Sequence, residues 1–169
     1  MVLTAFHYVV FALFPAAMAF AGASDLFTMT IPNRVSLGLL VLFVVLAPFV
    51  GLSLPTFGWH IGAAATVFAA AFACFAFGWV GGGDAKLATV AALWLGIEHL
   101  AEFVGLFSIF GGALTLLLLA IRSVPLPVAV TRLPWVARLH DQKTGVPYGI
   151  ALAAAALAIY PGTVWAELL

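Results

Sequence analysis

The sequence predicts an all-α, polytopic membrane protein with about six transmembrane helices in one bundle. Two observations predict this class. Of the 169 residues, 66% are hydrophobic and only 7% are charged, whereas a soluble domain carries about 25% charged residues. Several apolar runs also approach the roughly 20 residues that a helix needs to cross the hydrocarbon core. No long linker interrupts the sequence, so residues 1–169 are expected to form a single transmembrane domain.

Six spans account for these apolar runs. The run after the glycines at 81–83 is too long for one helix, and the polar segment EHLAE at 98–102 divides it into a hairpin with a short first helix. The predicted spans cover about residues 2–24, 35–51, 58–80, 85–98, 102–121 and 146–165. Because the first span has no basic residue ahead of it, we expect a retained helix rather than a cleaved signal peptide.

The charged residues predict the orientation. All six basic residues lie in or beside the first, third and fifth loops, which share one side of the membrane: Arg34, Lys86, Arg122, Arg132, Arg138 and Lys143. The even loops and the C-terminal end carry acidic residues instead: Glu98, Glu102 and Glu167. The positive-inside rule then places the odd loops in the cytoplasm and both termini outside it.

The composition also limits the partners and cofactors. The formal net charge is zero, so the chain has no basic field that would attract nucleic acid. Cys74 is the one cysteine, and neither a CxxC pair nor HExxH occurs, so no metal site and no cofactor is expected. His7 and His60 are interpreted as interfacial or core residues. The fifth-loop segment AVTRLPWVARLH is typical of a chain lying on membrane lipid, although a plain connecting loop fits equally well.

Two aspartates occupy the predicted cytoplasmic face at the ends of spans. Asp25 ends the first span, and Asp84 follows three glycines at the start of the fourth. An ionisable residue at the edge of a span is a functional-site candidate by default. The glycines would let another part of the chain approach closely. Simpler interpretations stay open: Asp84 could be the N-cap of the fourth helix, and Asp25 a loop residue at the water interface.

A pair of carboxylates in a poorly solvated site can carry out acid–base chemistry. Two such groups share one proton, because like charges held close together cannot both ionise cheaply. The ionised member would take a proton from water attacking a peptide carbonyl, and the protonated member would bind the carbonyl oxygen. The pair therefore predicts an aspartic-type endopeptidase.

Three segments resemble the type IV prepilin peptidases, a family of GxGD membrane aspartic proteases. GGGDAKL is similar to the family's GxGD motif followed after one residue by Lys-Leu. SDLFTMTIPNRV resembles its first-aspartate segment, with Ile-Pro-Asn six to eight positions after Asp25, and GVPYGIALAAAAL resembles the start of its last helix. The resemblance implies removal of short basic leader peptides from prepilins, in the inner membrane of a bacterium and at its cytoplasmic face.

The resemblance also implies roles for particular residues. It implies that Asp25 and Asp84 are the catalytic pair. Supporting roles are implied for Gly81, Gly83, Lys86, Ile31, Pro32, Asn33, Pro147 and Tyr148. Pro32 would begin the second span, Asn33 would hydrogen-bond the active-site loop, and Pro147 and Tyr148 would pack over the site. Lys86 would steady a charged aspartate, although a lysine reaching the membrane interface fits equally well.

Two departures from the family pattern refine the expectation. Paired CxxC motifs, which larger members carry in a region associated with N-methylation, do not occur. The sequence thus looks like the short, peptidase-only form of tight-adherence (Flp) pilus systems, with no methyltransferase activity expected. The segment LFTMT after Asp25 also lacks the basic residues that are frequent there in the family. The pattern does not indicate an oligomeric state.

Two other functions are consistent with paired aspartates. A small ion- or proton-coupled transporter subunit would use them to relay protons or bind a cation, although its polar groups should lie nearer the membrane midplane. A non-catalytic assembly partner of a pilus machine would retain the pair without using it. The prepilin peptidase remains the favoured hypothesis.

Overall fold

The computed structural model describes residues 2–127 and 132–166, and this part of the chain contains helices and loops but no strand. Glu167, which belongs to the charge pattern above, lies outside the described residues. The described residues form seven α-helices and one short 3₁₀ helix: α1 Val2–Thr28, α2 Asn33–Leu46, α3 Leu54–Ala76, α4 Gly82–Leu95, α5 Leu100–Arg122, α6 Pro134–His140, α7 Tyr148–Ile159 and the 3₁₀ helix Tyr160–Gly162. The all-helical class is confirmed.

The helix boundaries refine the predicted spans. The long apolar run does form a hairpin, because α4 ends at Leu95, the next residue Gly96 has a φ of +80°, and α5 begins at Leu100. α2 begins after Pro32, whose φ of −62° and lack of a backbone N–H suit a residue that precedes a helix. α4 begins earlier than predicted and includes Gly82 and Gly83, so these glycines form its first turn rather than a break in front of it.

Within residues 2–127 and 132–166, three helical segments are long and apolar enough to cross a membrane: Tyr8–Thr28, Leu54–Ala76 and Leu100–Arg122. Two shorter apolar segments, Asn33–Leu46 and Tyr148–Gly162, lie at the positions of two further predicted spans. α4 has 14 residues and is therefore about 21 Å long, which is less than the roughly 30 Å hydrocarbon core. The count of six spans and the placement of the termini stay predictions.

Two short apolar helices, α4 and α7, lie at the centre of the bundle. α7 contacts α1, α4 and α5, and α4 also contacts α2 and α3. Both are rich in alanine, whose small side chain lets neighbouring helices approach closely. Nine of the 14 residues of α4 are buried, whereas α3 buries only His60 and Ala63. α4 and α7 therefore form the support on which the longer helices pack.

A cluster of aromatic side chains fills the core at the end of α4 away from the glycine cluster, residues 81–83. The rings of Trp94 and Trp165 lie 4.4 Å apart, and Phe43 meets both of them edge-on. Both indole N–H groups donate hydrogen bonds to backbone carbonyls, of Leu39 and of Trp94. Buried tryptophans need such partners, so both indole rings are held in fixed positions.

The loops are grouped at the two ends of the helix bundle by contacts between them. Arg138 donates a hydrogen bond to the carbonyl of Phe27, which joins the fifth loop to the end of α1. Lys86 donates to Asn33 Oδ1, which joins the first turns of α4 and α2, next to the third and first loops. At the other end, one small cavity is lined by the beginning of α3, the loop between α4 and α5, and the C-terminal segment. The odd-numbered loops thus meet at one end.

The fifth loop is partly helical and is attached to the bundle. Arg122, the last residue of α5, donates from Nε to Leu139 O at 2.7 Å and from Nη2 to Gly145 O at 3.0 Å. Phe27 packs edge-on against Trp135, with ring centroids 5.4 Å apart. Two arginines of this end therefore bind backbone carbonyls of the protein. Residues 128–131 of the same loop lie outside the described part.

Candidate active site

Asp25 lies in the last turn of α1 and is 5% exposed. Its Oδ2 accepts a hydrogen bond of 2.7 Å from the backbone N–H of Gly149, in the first turn of α7. A Cβ on Gly149 would lie 2.8 Å from that oxygen, so only glycine fits there without displacement. One turn earlier in α1, a Cβ on Gly22 would meet Ala153 of α7 at 3.0 Å. Close packing of α1 on α7 therefore holds the Asp25 carboxyl in one orientation.

Asp84 is the third residue of α4, whose N-cap is Gly81. The alternative in which Asp84 itself caps the helix is therefore wrong. Each of the preceding glycines has a different neighbour: a Cβ would lie 3.1 Å from Asp84 Oδ2 at Gly81, 3.3 Å from Phe75 at Gly82, and 3.3 Å from Ile31 at Gly83. The three glycines thus let the Asp84 carboxyl fold back over the helix start while α4 packs against α3 and the first loop.

The two aspartates line one cleft. Its volume is about 290 Å³, which is room for several water molecules or part of a peptide. The lining residues come from the end of α1, the first loop and the start of α4: Asp25, Met29, Thr30, Ile31, Asn33, Gly81, Gly82, Gly83 and Asp84. Segments far apart in sequence are therefore brought together at the end of the bundle where the odd loops meet.

The electrostatics of the cleft are those of a carboxylate pair. Asp84 lies in none of the three candidate membrane spans and in neither of the two shorter apolar segments. Burial, and after it the negative charge of Asp25, raises the pKa of the Asp84 carboxyl from 3.8 to about 7. Among the described residues, neither aspartate forms an ion pair with a lysine or arginine. The pair can therefore hold one proton near neutral pH.

The first loop forms the wall of the cleft beside Asp25. The carbonyl of Thr30 accepts hydrogen bonds from the hydroxyls of Ser24 and Thr28, at 2.9 Å and 3.3 Å. Met29 has a φ of +55°, a left-handed conformation that costs a residue with a side chain about 1–2 kcal/mol. Neither Met29 nor Thr30 was predicted to lie at the site, because no signal in the sequence marks a methionine for this conformation.

The other residues selected from the sequence fall into two groups. Ile31, Asn33, Gly81 and Gly83 line the cleft. Lys86 is exposed and donates a hydrogen bond of 3.0 Å to Asn33 Oδ1 rather than to an aspartate. This contact links the beginning of α4 to the beginning of α2.

Pro147 and Tyr148, at the beginning of α7, were expected to pack over the site, but the structure places them differently. Pro147 is the N-cap of α7, and the Tyr148 hydroxyl lies 3.1 Å from Thr115 Oγ1 on α5. The Tyr148 ring packs on Gly111, so this side chain points toward α5 rather than into the cleft. The contact with the site comes from the next residue, Gly149. A glycine in the first turn of an otherwise alanine-rich helix was the available signal.

Neither Cys74 nor a histidine lines the cleft in the described part of the chain. No group of three or more His, Cys, Asp or Glu side chains there is arranged to hold a metal ion. His60 is buried, and its Nδ1 is hydrogen-bonded to the carbonyl of Leu93 at 2.7 Å, which is consistent with a core residue. The side chain of His7 lies outside the described residues.

The fold and the cleft together define a class: an all-helical membrane protein with an acidic pair at one end of its bundle. The chain belongs to the type IV leader peptidase family, whose family model matches residues 12–120. The predicted membership is thereby confirmed, and it makes this chain a leader-peptidase-like protease for prepilin substrates. The match includes both aspartates and the glycine cluster, whereas Gly149 lies beyond it. No curated protein and no solved structure shows significant similarity to the chain.

Proposed function

We propose that this protein is an aspartic endopeptidase that hydrolyses the peptide bond between the short basic leader and the hydrophobic helix of type IV prepilins. The observation that carries the proposal is that Asp25 and Asp84 line one cleft although they belong to different helices. A carboxylate pair that shares a proton supplies both a base and an acid to the same substrate bond.

The reaction follows from the state of this pair. The ionised carboxylate removes a proton from a water molecule, and the resulting hydroxide adds to the substrate carbonyl carbon. The protonated carboxyl donates a hydrogen bond to the carbonyl oxygen as negative charge develops there. The C–N bond then breaks, and the leaving nitrogen takes a proton from the pair. No covalent enzyme intermediate is involved.

The surroundings of the pair support these roles. The 2.7 Å hydrogen bond from Gly149 N–H leaves one oxygen of Asp25 to face the cleft. The glycine cluster removes side chains beside Asp84, so a substrate backbone can approach its carboxyl. Lys86 and Asn33 hold the start of α2 beside the start of α4, and we propose for them a positioning role rather than a direct one.

We also propose that the cleft faces the cytoplasm in a bacterial inner membrane. The basic residues of the odd loops support this orientation by the positive-inside rule. A site at the cytoplasmic surface meets the junction of leader and helix without unfolding the substrate within the membrane. The absence of CxxC motifs from residues 1–169 supports substrates of the Flp type and a peptidase without methyltransferase activity.

A proton- or ion-coupled transporter subunit fits the structure less well. The acidic cleft is formed by loop residues and helix ends, rather than by polar side chains distributed along the length of the helices. A translocation path would need such groups near the membrane midplane. We therefore place the pair in hydrolysis rather than transport.

The test is co-expression with a candidate prepilin, comparing wild type with Asp25→Asn and Asp84→Asn. Asparagine has nearly the same shape, and at position 25 it retains an oxygen for Gly149 N–H, but it cannot exchange a proton. We expect each variant to lower the cleavage rate at least about 10²-fold, the range of general acid–base catalysis. Glu102→Gln is the matched control, because Glu102 is an exposed acid in the first turn of α5. Normal cleavage by either asparagine variant would refute the proposal.

A further inference from the structure

Met29 combines a strained backbone with a position in the cleft. Its φ of +55° makes it the one non-glycine residue with positive φ in the described part of the chain. Glycine adopts this conformation more readily because it has no Cβ to crowd the following carbonyl, and asparagine does so because its short side chain can hydrogen-bond the local backbone. A strained residue beside an active site is a reason to look for a role of its side chain.

The strain has an identifiable local origin. Met29 directly follows α1, and its N–H donates a hydrogen bond of 2.8 Å to the carbonyl of Asp25. The next residue, Thr30, is held through its carbonyl by the Ser24 and Thr28 hydroxyls. The chain therefore leaves α1 at Met29, one helical turn after Asp25. Hydrogen bonds on both sides of Met29 fix its backbone conformation.

Met29 is part of the wall of the cleft. It is half-buried and lines the cleft together with Ile31, the other apolar side chain of this wall. Its Cε lies 3.9 Å from the position that a Cβ on Gly145 would take, so it reaches the segment that precedes α7. The rest of the lining consists of the three glycines and of polar residues. Met29 and Ile31 thus give the cleft one apolar side.

We propose that Met29 is a specificity-determining residue, which contacts an apolar substrate side chain within about two residues of the scissile bond. The hydrogen bond to the Asp25 carbonyl places Met29 one helical turn, about 5–6 Å, from Asp25. An extended peptide advances about 3.3 Å per residue, so a side chain touching Met29 belongs to one of the residues adjoining the bond under attack. The inference rests on the proposed peptidase function.

The chemistry of methionine indicates how it discriminates. A thioether side chain with three rotatable bonds adapts to apolar groups of different shape. Met29 therefore favours apolar side chains over glycine or polar ones without demanding a single size. The contact raises the cleavage rate by an amount that depends on the substrate residue. A residue with only a structural role would change the rate for every substrate by the same factor.

The experiment measures kcat/KM for the full-length enzyme in lipid nanodiscs with a panel of prepilins. In the panel, each of the two residues on either side of the scissile bond is changed in turn to Gly, Ser, Leu or Phe. The enzymes are wild type, Met29→Leu, Met29→Gly and Met29→Asn. Glycine and asparagine both relieve the backbone strain, so neither thermal midpoint is expected to fall below that of the wild type.

At one substrate position, we expect Met29→Gly and Met29→Asn to lower kcat/KM about tenfold for Leu and Phe substrates while changing the Gly substrate little. Met29→Leu keeps the apolar wall and should keep the wild-type order of substrates. A loss of equal size for every substrate, or no loss, overturns the proposal. The test also separates the two proposals, because cleavage by Asp25→Asn or Asp84→Asn refutes the peptidase mechanism whatever the Met29 variants do.

Discussion

Gly149→Ala tests whether the backbone of α7 positions the Asp25 carboxyl. An added Cβ would lie 2.8 Å from Asp25 Oδ2, 2.9 Å from Asp25 Cβ and 3.0 Å from Ile31 Cδ1. These separations are 0.4–0.6 Å shorter than the 3.4 Å at which ordinary contact begins. Asp25 is buried and cannot retreat, so α1 and α7 must separate by about half an ångström and the 2.7 Å hydrogen bond must lengthen.

The expected cost is larger for activity than for stability. Displacing a catalytic group by about 1 Å can lower a rate about 10²-fold, so we expect kcat/KM to fall about 10- to 100-fold. Overpacking costs about 1–3 kcal/mol of unfolding free energy, and the higher helix propensity of alanine returns up to about 1 kcal/mol. The variant should therefore fold and show a moderately lower thermal midpoint.

The assay is time-resolved cleavage of a prepilin by purified protein, with the thermal midpoint measured on the same preparation. Gly111→Ala is the matched control, because its Cβ would lie 2.8 Å from the Tyr148 ring and would not touch Asp25. We expect this control to lose similar stability and to keep activity within about threefold. If folded Gly149→Ala cleaves at the wild-type rate, or if both variants lose activity equally, the positioning of Asp25 by Gly149 is refuted.

Two further outcomes are expected. Because the pKa of Asp84 is raised to about 7, the pair loses its shared proton as the pH rises through that value, so kcat should fall between about pH 6 and pH 8. The raised pKa also means that the folded state binds this proton more tightly: its stabilising contribution is full below pH 3.8 and is lost as the pH rises through about 7. A flat rate profile across that range would contradict this assignment. In a Cys74→Ser background, Gln142→Cys should react with a membrane-impermeant maleimide only after the membrane is disrupted, whereas Glu98→Cys should react in intact cells. The reverse pattern would overturn the proposed orientation.

The pairing of the two aspartates followed from the order of the charges along the chain. Consecutive spans alternate in direction, so the parity of a loop determines its side of the membrane whatever the helices do inside it. Asp25 and Asp84 both adjoin odd-numbered loops, and the structure brings them to one cleft. The beginning of α2 after Pro32 and the break between α4 and α5 were predictable for a similar reason, since proline and polar residues act on the local backbone.

The remaining parts of the site depend on contacts between helices. The amide of Gly149 meets Asp25 only because α7 packs on α1, and the two residues are far apart in sequence. The three glycines have distinct neighbours on α4 itself, α3 and the first loop, whereas the sequence indicated only that side chains were missing there. Tyr148 was expected at the site, but its ring lies against α5 because the first turn of α7 directs it there.

The amino-acid sequence alone determined the all-helical membrane class, the grouping of the aspartates on one side and the resemblance to the leader peptidase family. These features depend on composition, local backbone preference and residue order, which any packing of the helices preserves. Only the tertiary structure decided which oxygen of Asp25 is held, why Gly149 must be glycine, and that Met29 lines the cleft. These features depend on separations of a few tenths of an ångström between helices, and close packing sets such distances from all the neighbouring side chains at once.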